Sequence, residues 1–493
     1  MGSDPQYAKY PDLSLAQDIF NIANSSCPLS TRQASAGKLQ QSITEHKMAP
    51  LYYHLAHPTA GILNKTGEST ASKTAVTTRR GSISSNLLPT RPSITDPLPW
   101  DESLYEKLKT ENEKELEAIQ KEETEAEENA GETEIQHARG KRAEFWARAG
   151  DKDKAIASYE AVFERTGVLG AKIDLVLAMI RVGLFFGDRV YVKGQIERAD
   201  MLVESGGDWD RRNRLKAYKG LHLLTIRSYN LAAPLLLDSL STFTSYELCS
   251  YSSLVVYSVL AGTLTLKRTD FKSKVVDAPE IKAILGSDSE DKFAAMTGAI
   301  SSGPAAGDEE MKDATTSTAT PAQGSTVVNL STLGTGSGGQ AAESEKPMDF
   351  SSLASLVTSL YTGDYKTFFL SLAAVEENFL LVDRYLQEHR AWYIREMRLL
   401  AYSQLLQSYR VVGLKSMADA FGVSVDFLDK DLARFIANGR INCTIDRVSG
   451  TVETNRPDDK NKQYADVVKQ GDALITKLQK YGQAVRLRGS ERG

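Results

Sequence analysis

The sequence predicts an all-α fold with a small β wing: a solenoid of tetratricopeptide-like helical repeats, then a winged-helix module, then a C-terminal helix. Three observations carry that expectation. Apolar residues recur at helical spacing through most of residues 141–285, with glycines punctuating them at short intervals. Residues 411–455 switch to short β-branched and alternating runs around two short helices. The chain then closes on a long amphipathic pattern.

The repeats come first in the argument. In RAEFWARAGDKDKAIASYEAVFERTG, the residues Ala143, Trp146, Ala147, Ala155, Tyr159, Val162 and Phe163 fall at i, i+3, i+4 spacings, and Gly150-Asp151 separates two helices. The pattern continues to about Leu285, with breaks at Gly187 and Gly206-Gly207. Such a solenoid buries its core against neighbouring repeats and presents an extended surface to proteins. Helical patterning resumes at Phe350. VVGL then reads as a short strand, KSMADAFG as a short helix, and SVDFLDKDLARFIANG as a second helix with Ser424 as N-cap and Gly439 as its end. INCTIDRVSGTVETN alternates as a hairpin turning at Ser449-Gly450. Helix, strand, helix, helix, hairpin is the winged-helix order. Lys460 to Arg488 follows as an amphipathic helix, with Tyr464, Val467, Val468, Leu474, Ile475, Leu478 and Tyr481 on or near one face.

Composition bounds the function. At 493 residues the chain has room for about three domains of roughly 150 residues. Cys27, Cys249 and Cys443 form no C-x-x-C pair, which fits a reducing compartment and excludes a cysteine-built zinc site. No apolar run reaches the roughly eighteen residues of a membrane span, and the N-terminal residues lack a signal peptide's apolar core, so a soluble intracellular protein is expected. The net charge of -5 is unevenly spread: residues 101–134 hold 14 acids and 4 bases, residues 287–348 hold 9 and 3, and the remaining 397 residues stand at +11. The first acidic stretch reads as a solvated helix with a narrow stripe of Leu104, Leu108, Leu116 and Ile119. The second is low-complexity: 30 of the 46 residues from Ser301 to Lys346 are Gly, Ser, Thr, Ala or Pro, too few apolar groups to offset ordering entropy. Pro58 to Pro99 reads likewise as an insertion, and its Arg79-Arg80-Gly81-Ser82 as a solvated loop rather than a kinase site.

A winged helix raises nucleic acid as a partner, so its second helix is tested for charge. Between Ser424 and Gly439 it carries Asp426, Asp429 and Asp431 against Lys430 and Arg434, the wrong balance for phosphates. The other use of the fold is assembly, with the hairpin's outer strand, taken as Thr451 to Thr454, pairing edge to edge with another subunit. Catalytic sets are missing. His54 and His57 lie at i, i+3 but lack an HExxH frame or third ligand, and His137, His222 and His389 are isolated, His389 being expected to pack or hydrogen-bond among the helices around it. GTGSGGQ, from Gly334, lacks the Lys-Ser/Thr of a phosphate loop, no Gly-x-Ser-x-Gly elbow occurs, and no His-x-His with a distant Asp is present. The expectation is a protein without enzymatic activity, metal or cofactor.

Solenoid, winged helix and terminal helix in this order resemble the PCI family, shared by the proteasome lid, the signalosome and a translation initiation factor. Lys9-Tyr10-Pro11-Asp12-Leu13, the run Gly206 to Lys216 (GGDWDRRNRLK), SYNLAAPLLLDSLSTFTSYEL, REMRLLAYSQLLQSYR and MADAFGVS are similar to the proteasome-lid branch of that family. The resemblance implies a non-catalytic scaffold of the lid of the 26S regulatory particle, in cytoplasm and nucleus, acting in ubiquitin-dependent degradation. Its implied partners are other PCI subunits, the lid deubiquitinase pair and the ATPase ring, with neither nucleic acid nor membrane. Carried over by position, winged-helix contacts fall on Ile441, Cys443, Ile445, Thr451, Val452 and Thr454, and helical-bundle contacts on Val467, Leu474 and Leu478. The expected organisation is an N-terminal helical segment 1–57, an insertion 58–100, acidic helix and repeats 101–225, a PCI helical part 226–286, an insertion 287–348, PCI helices with the winged helix 349–457, and the C-terminal helix and tail 458–493. Subunit one of the signalosome shares the architecture and is the alternative; a nucleic-acid-associated winged-helix subunit of an initiation or export complex is the more distant one.

Overall fold

The computed structural model describes residues 7–58, 61–63, 98–129, 131–285, 349–455 and 459–490. The expected insertions at 58–100 and 287–348 lie almost wholly outside these residues, as do Ser82 and the Gly334 run.

Three N-terminal helices, α1 (Leu13–Ala23), α2 (Leu29–Glu45) and α3 (Ala49–Ala56), open the fold. The Lys9 to Leu13 motif is the start of the first: the Asp12 carboxylate accepts from the Ser14 N–H at 2.8 Å and caps it. Next come α4 (Glu102–Asn129) and α5 (Glu132–Ala149). The acidic helix α4 is largely exposed, as expected, and docks by its narrow stripe, where Leu108 is buried and Leu104, Leu116 and Ile119 half-buried. The Asn112 amide donates to the Lys47 carbonyl at 2.8 Å, and the Tyr52 ring stacks on Trp100 just ahead of the helix. Its acids meet bases of α5: Glu122 with Lys141 at 2.8 Å, Glu123 with Arg139 and Arg142 at 3.2 and 3.3 Å, and Glu115 with Arg148. The composition of α4 alone hid those partners.

The solenoid continues as antiparallel pairs: α5 with α6 (Lys152–Arg165), α7 (Leu169–Phe186) with α8 (Arg189–Glu204), and α9 (Trp209–Thr225) with α10 (Tyr229–Ser239). Local chemistry sets the breaks where the sequence placed them. Gly150 and Gly187 take the left-handed conformation, φ 83° and 73°, that ends α5 and α7, and Asp151 and Asp188 cap the helices that follow. Every residue of α7 from Ile173 to Phe185 is buried, including Asp174 and Arg181. A helix buried all round has no solvated face, so these two charges must be met inside the protein. Arg211 grips Asp174 through Nε and Nη2 at 2.9 and 2.8 Å. Arg181 donates to the Tyr218 hydroxyl at 2.8 Å and to the Tyr7 carbonyl. The Tyr218 hydroxyl donates onward to Glu247 at 3.0 Å, and Arg214 bridges Glu247 and Asp210, each at 2.9 Å. The GGDWDRRNRLK motif is therefore an internal lock that ties α9 and the loop after α10 to α7.

Beyond α11 (Tyr251–Thr265), a short α12 (Arg268–Phe271), a π-helical turn (Lys272–Val276) and α13 (Pro279–Leu285), the described chain resumes at α14 (Ser351–Thr362) and α15 (Tyr365–Val375). A second π-helical turn, Glu376–Leu380, redirects the backbone into residues 381–389, which run back across the solenoid as a clasp. Arg384 Nη2 donates to the carbonyls of Leu184 and Phe185 at 2.8 and 2.7 Å, at the C-terminal end of α7 where carbonyls lack helical partners. Gln17 of α1 accepts from the Arg384 N–H and donates to the Val382 carbonyl. His389 meets the Thr225 carbonyl at 2.9 Å, so it bonds across to the end of α9. Asp383 accepts from the Tyr257 hydroxyl at 2.5 Å and from the Tyr385 N–H at 2.7 Å; burial raises its carboxyl above the ordinary value against these bonds.

The winged helix follows α16 (Arg390–Ser408): β1 (Val411–Gly413), α17 (Leu414–Phe421), α18 (Val425–Ala437), β2 (Cys443–Asp446) and β3 (Thr451–Thr454). Its strands form one antiparallel sheet in the order β1-β3-β2. Ser424 caps α18 by accepting from the Phe427 N–H at 3.3 Å, and Gly450, φ 68°, makes the hairpin turn. The chain's last described element is α19 (Asp459–Ser490), 32 residues long.

Two outcomes are expected in urea unfolding of the full chain. Arg211→Met leaves the Asp174 carboxylate buried without its partner and costs about 3–5 kcal/mol, and adding Asp174→Asn recovers part of it. In the wing, Val452→Ala, at a side chain with no exposed surface, costs about 2 kcal/mol. Val448→Ala, at a fully exposed position of the hairpin loop, changes stability by less than about 0.5 kcal/mol.

Candidate protein interface

The hairpin residues expected at an interface divide sharply once their neighbours are placed. Val452 of β3 lies opposite both Val412 of β1 and Ile445 of β2. Thr451–Thr454 is thus the central strand, with its backbone committed on both sides, and the expectation that it is the outer strand is wrong. The reason is topological: β1, contributed from before the two helices, adds to the hairpin on the β3 side. Ile441, Cys443 and Val452 are buried in the winged helix itself. Ile445 packs partly against that core, the Thr451 hydroxyl is 2.8 Å from Ser449, and the Thr454 hydroxyl donates to the carbonyls of Tyr409 and Arg410 at 3.2 Å. These six side chains hold the module together. The surfaces the sheet turns outward are the backbone edges of β2 and β1, with Thr444, Asp446 and Val411 exposed along them.

The C-terminal helix behaves as its sequence implied. Val467, Leu474 and Leu478 are 61–65% exposed, and Tyr464, Val468, Ile475 and Tyr481 join them on the surface. Every side chain described from Gln463 to Arg486 is exposed. At about 1.5 Å per residue, the 32 residues of α19 reach about 48 Å. No element among the described residues covers this apolar row.

The charge test of α18 also changes when side chains are placed. Asp429 pairs with Arg447 at 2.8 Å, and Asp431 is buried against Arg398 and Tyr402 at 3.4 and 3.3 Å. Of the three acids counted against phosphate binding, Asp431 is buried and Asp429 is half-buried and paired, and Asp426, Lys430 and Arg434 remain on the exposed face. Two bases still fall short of the several phosphate contacts on which salt-dependent nucleic-acid binding rests.

Among the described residues, no group of three or more His, Cys, Asp or Glu is placed to hold a metal ion. His57 packs against the rings of Tyr53 and Trp100 at 4.4 and 5.0 Å. Burial pushes the thiols of Cys27, Cys249 and Cys443 up, away from the thiolate that a nucleophile needs. No described helix is long and apolar enough to cross a membrane. A groove of about 760 Å³, which the sequence did not foreshadow, opens between α3, α4 and the α5–α6 turn, walled by Tyr53, Tyr105, Phe145 and Trp146. Lys154 caps the Trp146 ring at 4.3 Å, and the rim mixes lysines with acids.

Comparison with known proteins agrees with this architecture segment by segment. Residues 101–274 match the family model of 26S proteasome subunit RPN7, residues 365–456 that of the PCI domain, and residues 463–485 that of the 26S proteasome regulatory subunit RPN7/PSMD6 C-terminal helix. The 26S proteasome regulatory subunit RPN7 of Saccharomyces cerevisiae is 38% identical over 493 residues, 99% of this chain and 96% of the relative. The 26S proteasome non-ATPase regulatory subunit 6 of Dictyostelium discoideum is 34% identical over 486 residues, 98% of this chain and 100% of the relative. COP9 signalosome complex subunit 1 of Arabidopsis thaliana matches at 29% over 117 residues, only 24% of this chain and 26% of the relative. Solenoid, winged helix and exposed terminal helix are thus each matched in place, and the chain belongs to the RPN7 family of 26S proteasome regulatory subunits.

Proposed function

We propose that the chain is a non-catalytic scaffold of the proteasome lid, joining its neighbours through the winged helix and the C-terminal helix and so supporting ubiquitin-dependent degradation. The observation that carries this reading is the fully exposed amphipathic row on α19, in a segment that also matches the family's C-terminal helix. A bundle with the terminal helices of other lid subunits would cover that row. At the winged helix, the contact falls on the outer backbone edges of β2 and β1, where a neighbouring PCI subunit extends the sheet. The lid deubiquitinase pair and the ATPase ring are the further partners of this reading, and cytoplasm and nucleus its location. The brief match to signalosome subunit 1, set beside near-complete matches to proteasomal subunits, favours the lid over the signalosome.

A tagged full-length chain recovered from its own cells is expected to bring down proteasomal ATPases; recovery with cullin-associated proteins instead overturns the assignment. Truncation after Asn455 removes no buried side chain among the described residues, so the remaining body keeps its melting temperature but stays out of the assembled complex. A milder variant isolates the apolar row. Replacing Val467, Leu474 and Leu478 together with Ser changes the stability of the isolated chain by less than about 0.5 kcal/mol. In assembly it forfeits about 1.5–3 kcal/mol per buried side chain, read as loss of the chain from lid fractions on native gels. Normal incorporation of that variant removes α19 from the interface.

A further inference from the structure

A small cavity of about 80 Å³ lies where α7, α8 and α9 meet the clasp, walled by Gly183, Leu184, Arg189, His222, Thr225 and Arg384 among others. It belongs to no surface considered so far. Its wall carries an imbalance of hydrogen-bonding groups. His222 is 4% exposed, and neither of its ring nitrogens has a partner. Arg384 spends Nη2 on the Leu184 and Phe185 carbonyls, but its buried Nη1, with two N–H groups, has none. The acceptors beside them are already engaged. The Leu184 carbonyl accepts from both Arg384 and the Gly187 N–H, the Gly183 carbonyl from Asp188, and the Thr225 carbonyl from His389. The Asp188 carboxylate is taken by Lys152 at 2.7 Å and by the Tyr191 N–H at 3.0 Å.

A buried donor surplus next to a guanidinium calls for an occupant that accepts more than it donates, which an anion does better than water. The surrounding charge is mixed, since the Asp188 carboxylate lies on the same wall and Arg189 pairs with Glu388. After burial itself, the influences that hold the His222 imidazole below its ordinary value are the positive charges of Arg189 and Lys193. The α8 N-terminus lies on the same wall, already capped by the Asp188 carboxylate. We propose that this cavity is a binding site for a small tetrahedral oxyanion, of the inorganic phosphate class, held by Arg384 Nη1 and an N–H of His222. The volume admits such an ion or a few waters and is too small for a side chain brought in on another backbone. Bound there, the anion links α9 to Arg384, and hence to the clasp that fastens the winged-helix half onto α7.

The test uses the full-length chain and inorganic phosphate, titrated at fixed pH and at ionic strength balanced with chloride, and followed by calorimetry. One saturable site is expected. His222→Leu keeps the volume, removes two unpartnered nitrogens and leaves the clasp's own bonds in place; it is expected to weaken phosphate at least tenfold, whereas His137→Leu leaves affinity unchanged. Should His222→Leu fail to fold, a crystal of the unaltered chain grown with selenate decides the matter. An anomalous peak at hydrogen-bonding distance from Arg384 Nη1 supports the site, and a cavity holding only water overturns it. Absence of saturable binding, or equal affinity in the His222→Leu chain, overturns it as well.

Discussion

The structure is organised by the cost of two charges inside one helix. Along α7 the chain from Ile173 to Phe185 has no solvated face, yet it carries Asp174 and Arg181. A buried charge without a partner would cost several kcal/mol, comparable with the stability of a whole domain, so each must be answered by a group from another element. The answers come from far apart in the sequence: the backbone at Tyr7, Arg211 and Tyr218 of α9, and Glu247 beyond α10. Hydrophobic burial alone would let these elements pack against α7 in several registers. Bidentate and chained bonds of fixed geometry admit one arrangement, and the N-terminal segment, the repeats and the loop before α11 are set by it together.

The same helix also fastens the other half of the molecule. Near its end Arg384 takes up the Phe185 carbonyl and shares the Leu184 carbonyl with the Gly187 N–H. A helix terminus that would otherwise need water becomes the anchor of the clasp, with Gln17 and Asn24 of the N-terminal helices bonded to neighbouring clasp residues. The clasp, together with the bonds of Tyr393 to Thr263 and the Leu260 carbonyl and the stacking of Tyr229 on Trp392, holds the solenoid and the winged-helix half together, although 63 residues between α13 and α14 lie outside the described structure. The bonds reach from residue 17 to residue 384 without passing through that stretch.

What could be read from the sequence was whatever is local. Helix ends at Gly150 and Gly187, the Ser424 cap and the Gly450 turn depend on residues within a few positions of each other, and all four stand as expected. The exposed row of α19 was legible for the same reason, since one face of a helix is written in its own periodicity. Strand order was not. Val411 to Gly413 was recognisable as a strand, but nothing in a three-residue run states which side of a hairpin it joins, and that choice moved Thr451–Thr454 from edge to centre. Counting charge along α18 failed in a related way, because the partners of Asp429 and Asp431 sit on other elements, at Arg447 and Arg398. In the acidic helix α4 the exposed face and the narrow stripe were legible, but the bases of α5 that its acids meet were not. The clasp left no trace at all, since its bonds to α7 are made mainly to backbone carbonyls, which every residue possesses.

The long bare helix at the C-terminus also bears on the chain's life before it finds its neighbours. Seven large apolar side chains in one row, with no described segment folded over them, form an adhesive strip for other exposed greasy surfaces in a crowded cell. Copies made in excess of their partners carry that strip uncovered, while copies in place do not. On the proposed reading, the row that joins the complex would also mark an unassembled copy by its exposed apolar surface.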